Sequence, residues 1–77
     1  MLEEEFELLQ RALDQGEEDV VDSIATDIFI TPNGGAWIER IRAFETFADC
    51  KIYPGEEDSF GWLIGVIKYK DKEFTFG

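Results

Sequence analysis

The chain has 77 residues, 44% of them hydrophobic, with 18 acidic and 7 basic side chains, one cysteine and no histidine. That length allows one domain with a core near the lower limit for independent stability, and the apolar content is too high for a disordered chain. A net charge of −11 repels nucleic acid and anionic membranes, and the missing histidine removes zinc clusters and histidine-activated nucleophiles.

The charge is unevenly placed. Up to position 22 there are nine acidic residues against Arg11 alone, a net of −8, while the remainder of the chain carries −3. Such a field attracts basic partners, although solubility alone is a sufficient reason for it. No apolar run is long enough to span a bilayer, and the acidic start does not read as a signal peptide. A lone cysteine, Cys50, cannot form an internal disulfide, which points to a reducing cytoplasm.

In chain order, Leu2 to Gln15 reads as an amphipathic helix. Leu2, Phe6, Leu9 and Leu13 recur at helical spacing, Leu8 and Ala12 widen the stripe, and Gly16 suits the position after a helix end. Residues 17–25 start a second helix with Val20, Val21, Ile24 and Ala25 on its buried side. Residues 27–31 are short and β-branched and fit either the end of that helix or a short strand; they are read as a short strand or extended segment. Pro32-Asn33-Gly34-Gly35 is a turn. Its glycines lack the lysine of a phosphate-binding loop. Residues 36–49 form a third helix, with Trp37, Ile41, Phe44 and Ala48 as its stripe and Ile38 and Phe47 broadening it.

The rest is sheet. Residues 60–69 read as a central strand whose side chains alternate between two faces. One face gathers Cys50, Ile52, Leu63, Ile67, Tyr69, Phe74 and Phe76, with Gly61 and Gly65 leaving room for the third helix. The other face gathers Tyr53, Phe60, Trp62, Ile64 and Val66, then Lys68 and Lys70. A hairpin with Asp71-Lys72 at its tip pairs Lys70 with Glu73, Tyr69 with Phe74 and Ile67 with Phe76. Before it, Tyr53 pairs with Phe60. The expected fold is α+β: two or three helices packed on a small antiparallel three-stranded meander, in a single domain over residues 1–77, with an extra short strand at 27–31.

Few residue sets carry chemistry. Glu56-Glu57-Asp58-Ser59 offers oxygen ligands for a divalent cation but lacks the spacing of a known calcium loop, and reads as solvated. Tyr53, Phe60 and Trp62 resemble a base-stacking platform, but in a molecule of the wrong charge. The expectation is a small acidic non-catalytic protein-interaction module, bacterial or phage in kind, with no catalytic, metal or cofactor residues. It would engage a protein partner or a second copy, but no nucleic acid and no membrane. The candidate surface is Tyr53, Phe60, Trp62, Ile64 and Val66, covered either by the first helix or by a symmetric partner. The alternative is an acidic mimic of nucleic acid that blocks a DNA-binding protein.

Overall fold

A computed structural model of the chain describes residues 2–55 and 65–77. Expectations that fall on residues 56–64, among them the acidic stretch 56–59 and the first half of the expected central strand, lie outside these. The described residues form three helices followed by a three-stranded antiparallel sheet, an α+β fold.

Helix α1 (Leu2–Gln15) buries Phe6, Leu9, Ala12 and Leu13, one stripe at helical spacing. Glu3, Glu4 and Glu5 occupy its first turn, where the positive end of the helix dipole favours carboxylates. Gly16 ends it with φ +70°. The Gly16 N–H donates to the Leu13 carbonyl at 3.2 Å and the Glu17 N–H to the Ala12 carbonyl at 3.1 Å, the paired bonds of a Schellman termination.

Helix α2 (Glu18–Phe29) is longer than its sequence suggests. No strand forms at 27–31. Asp27, Ile28 and Phe29 complete the helix, and Ile30 makes only an isolated bridge to Ala36. The reason is periodicity: Val21, Ala25, Ile28 and Phe29 are all buried, and they fall on one face at steps of four, seven and eight. Val20, expected inside, is exposed. The following loop is tied by three short bonds. Thr31 N–H donates to the Gly35 carbonyl (2.7 Å), Gly34 N–H to the Thr31 carbonyl (2.9 Å), and Gly35 N–H to the Thr31 hydroxyl (2.9 Å). Trp37 N–H then caps α2 by donating to the Phe29 carbonyl at 2.7 Å.

Helix α3 (Ile38–Ala48) begins two residues later than expected, because Trp37 serves as its N-cap. The Arg40 guanidinium lies over the Trp37 ring at 3.6 Å and also reaches the Ile28 carbonyl at 3.4 Å, so Trp37 is spent on the junction with α2 rather than on the core stripe. Ile41, Phe44 and Ala48 are buried, whereas Ile38 and Phe47 are 43% and 42% exposed. Asp49, left-handed at φ 53°, turns the chain into the sheet. Glu45 fastens that turn, its carboxylate accepting the Ile52 N–H at 2.9 Å.

Strands β1 (Lys51–Tyr53), β2 (Gly65–Tyr69) and β3 (Lys72–Phe76) lie in the order β1-β2-β3. Both expected registers are displaced. The hairpin tip is Lys70-Asp71, not Asp71-Lys72, so Ile67 faces Phe74, Lys68 faces Glu73 and Gly65 faces Phe76. Lys70 takes φ 56°, the positive value that a two-residue hairpin turn demands. Tyr53 faces Val66 rather than Phe60. Both displacements are even, so every described side chain keeps its expected face. Cys50, Ile52, Ile67, Tyr69, Phe74 and Phe76 are buried on one side. Lys51, Tyr53, Lys68, Glu73 and Thr75 are exposed on the other, and Val66 is half-buried.

The hairpin register follows from a space-filling match. A Cβ on Gly65 would overlap the ring of Phe76. The room left by this glycine is therefore taken by a ring from the next strand and not, as the sequence suggested, by α3. The helix on β3 is α2: Phe29 meets Phe76 with centroids 5.7 Å apart, and the Gly77 N–H donates to the Asp22 carboxylate and the Thr26 hydroxyl, both at 3.0 Å. All three helices contribute to the one core that covers this face.

Gly65→Val is expected to leave much of the protein unfolded. Overpacking costs about 1–3 kcal/mol against the ~3–5 kcal/mol that a core of this size supplies. Gly34 has φ +90° and nothing within 4 Å of an added Cβ, so Gly34→Asn is expected to lose only about 1 kcal/mol. Urea melts compare the two. In a Phe76→Leu background Gly65→Ala should be markedly less disruptive. An unchanged penalty there would show that the Phe76 ring is not the obstacle.

Candidate interaction surfaces

Exposed apolar or charged groups gather at three places: the open sheet face, the outer side of α1 and α2, and the hairpin tip.

On the open face the five-residue candidate surface is represented by Tyr53 and Val66, because Phe60, Trp62 and Ile64 lie outside the described residues. The structure brings Tyr53 and Val66 together as cross-strand partners. Tyr53 is 54% exposed. Lys68 stands 5.5 Å over the Tyr53 ring and pairs with Glu73 at 3.5 Å, and Lys51 lies opposite Lys68. Helix α1 does not cover this face. Its Phe6, Leu9 and Leu13 belong to the core on the other side, and its Asp14 meets Tyr69, which points inward.

The outer side of α1 and α2 is acidic. Glu3, Glu4, Glu7, Asp14, Glu18, Asp19, Asp22 and Asp27 are all exposed. Among the described residues, Asp14 is the one member of this set in an ion pair, with Lys70 at 3.5 Å. Between the two helices an open groove of about 520 Å³ is lined by Glu5, Leu8, Asp22, Ile24, Asp27 and Gly77, among others. Leu8, read from sequence as part of the buried stripe, is 52% exposed. It sits about 100° round the helix from Leu9, and that angle was the available signal. The groove itself depends on how α1 and α2 pack, which no spacing within either helix reveals.

At the hairpin tip the Tyr69 hydroxyl donates to the Asp14 carboxylate at 2.5 Å. That bond, with help from Lys70 and against some desolvation, holds the Asp14 carboxyl below the usual carboxylate range. It pushes the Tyr69 hydroxyl up. Cys50 is buried, and desolvation first, then Glu45 and Asp49, push its thiol up to about 11. It is therefore held as the un-ionised, unreactive form at neutral pH. Among the described residues no group of three or more acidic or cysteine side chains could hold a metal ion. No helix among them is long and apolar enough to cross a membrane.

Compared with protein-family models, with curated proteins and with solved structures, the chain matches none of them.

The Asp14–Tyr69 bond makes a signed prediction. A carboxyl whose pKa falls on folding contributes stability above its unfolded value, near 3.8, and that stability is lost as pH falls through the folded value. Tyr69→Phe should therefore lose stability at pH 7 and show a shallower decline than the parent between pH 4 and pH 2 in urea melts. Parallel declines would remove the bond from the acid response.

Proposed function

We propose that the chain is a non-catalytic protein-interaction module whose acidic α1–α2 layer engages a basic protein surface. The observation that carries this reading is the set of exposed carboxylates on two packed helices with one ion pair among them. Their mutual repulsion works against the compact state, and a cationic partner would relieve it. The apolar stripes of both helices are already used by the core, so the outward faces have charge as their main means of recognition. Surfaces built to hold polyanions have the matching chemistry, so mimicry of nucleic acid is the form of the reading favoured here. An un-ionised buried thiol and the absence of any histidine support the non-catalytic part.

The test is capture from a cell lysate on the immobilised chain at rising salt, with the captured proteins identified. Basic, nucleic-acid-binding proteins are expected, released between 0.1 and 0.5 M salt (order-of-magnitude limits set by Debye screening) and displaced by duplex DNA. A variant with Glu3, Glu4, Glu7 and Glu18 changed to glutamine and Asp19 to asparagine should lose them. Capture indifferent to salt and to these changes would overturn the proposal.

A second reading, self-association through the open sheet face, is favoured by the exposure of Tyr53 beside Val66 on a face that none of the three helices covers. Its test is sedimentation velocity. A dimer that Tyr53→Asp dissociates into folded monomers supports it, and a monomer at millimolar concentration removes it.

A further inference from the structure

We infer that the groove between α1 and α2 is a docking site for a basic amphipathic segment of a partner protein, with one apolar side chain seated on Leu8 and Ile24 and flanking lysine or arginine side chains meeting Glu5, Asp22 and Asp27. This rests on the acidic-layer reading above and adds to it a place and an apolar anchor.

The groove has two parts with different chemistry. Its apolar lining includes Leu8, half exposed, and Ile24, half-buried and packed on the edge of the core. The same lining includes the three acidic residues Glu5, Asp22 and Asp27 and, among the described residues, no cation. Arg11, the one basic residue of the two helices, does not line it. About 520 Å³ of open space lies within the range of sites that hold several side-chain-sized groups. Apolar and anionic side chains lining one groove select an occupant that presents an apolar side chain with cationic neighbours. Bare nucleic acid fails on sign. A neutral apolar chain would have to desolvate the carboxylates without pairing them. A helix laid in a groove through regularly spaced anchors fits both demands.

A second copy of this chain offers similar chemistry, since Tyr53 is flanked by Lys51 and Lys68. The net charge of −11 on each copy opposes that association, so the occupant is assigned to a foreign, basic protein. Asp22 is also held within the groove lining, where its carboxylate accepts the Gly77 N–H and the Thr26 hydroxyl. One wall of the groove is thereby fixed in place before any partner arrives.

The probe is a synthetic helix-forming peptide with leucines along one face and lysines flanking them, labelled with fluorescein and read by anisotropy at 0.15 M salt, an ionic strength at which Debye screening extends over about 8 Å. The controls are the same composition in scrambled order and three variants: Leu8→Asp, Tyr53→Asp and the five-site amide variant. Both single substitutions replace exposed side chains, and circular dichroism checks that each variant is folded. The ordered peptide is expected to bind at least tenfold more tightly than the scrambled one. Leu8→Asp should weaken it at least tenfold, although the added carboxylate alone would strengthen attraction for lysine. Tyr53→Asp should leave it unchanged. Equal binding of the two peptides, or indifference to Leu8→Asp, overturns the groove. If the amide variant still abolishes binding in that case, the acidic-layer reading survives without it. Absence of binding overturns the groove, and an effect confined to Tyr53→Asp moves the contact to the sheet face and also overturns it.

Discussion

Phe76 is wedged between the bare backbone of Gly65 across the sheet and the ring of Phe29 on α2. From it a line of edge and tilted ring contacts crosses the molecule, Phe29 to Phe44 at 5.6 Å and Phe44 to Phe6 at 5.1 Å, so that one row of four rings touches β3, α2, α3 and α1. Aromatic pairs in such arrangements are worth about 0.5–1.5 kcal/mol beyond the area they bury. In a domain this small they form a large part of the margin. The register of the hairpin, the seat of α2 and the position of α1 relative to the sheet all depend on that row keeping its spacing.

Packing all three helices on one side of the sheet separates the charges as well as the layers. Lys51, Lys68, Lys70 and Lys72 belong to the strands and their hairpin, while the exposed carboxylates of α1 and α2 belong to the helical layer. The two sets meet at the hairpin tip, where Asp14 lies between Tyr69 and Lys70. Elsewhere they are kept apart by an apolar core. A partner approaching α1 and α2 meets a strongly negative surface, and one approaching the described part of the open sheet face meets Tyr53 with Lys51, Lys68 and Glu73.

The faces were legible in the sequence and the registers were not, for one physical reason. Side chains alternate along a strand with a period of two, so any even displacement preserves which residues are buried. Ile52, Ile67, Phe74 and Phe76 could be placed inside without knowing who faces whom. Choosing between Ile67 and Gly65 as the neighbour of Phe76 required the shape of the space around a glycine, which pairing preferences do not contain. The error at 27–31 has another source. Ile28, Phe29 and Ile30 are β-branched or aromatic and favour a strand taken alone, but Val21 and Ala25 extend a helical stripe through the first two. Tertiary burial overrode local preference. Trp37 and Leu8 depart from their sequence patterns in the same way: each continues an apolar pattern, yet one is engaged by Arg40 at a helix junction and the other lines a groove. For the interaction surfaces, sequence showed the sign and location of the charge, and packing alone showed the groove.

The Gly77 N–H reaches back to Asp22 across 55 residues of sequence, and this long return shapes how the molecule can fold. The α1–α2 hairpin closes through Gly16 and the β2–β3 hairpin through Lys70-Asp71, both local events on the microsecond scale. Joining them requires closure of the long segment between α2 and β3. By the logarithmic growth of loop entropy this costs about 3–4 kcal/mol before any contact repays it. On this entropy argument the meeting of Phe29 with Phe76 is the more costly step, and the forming of either hairpin the less costly one. A chain of two quickly formed halves, each exposing an apolar face until the other arrives, is most vulnerable to aggregation in the interval before they dock.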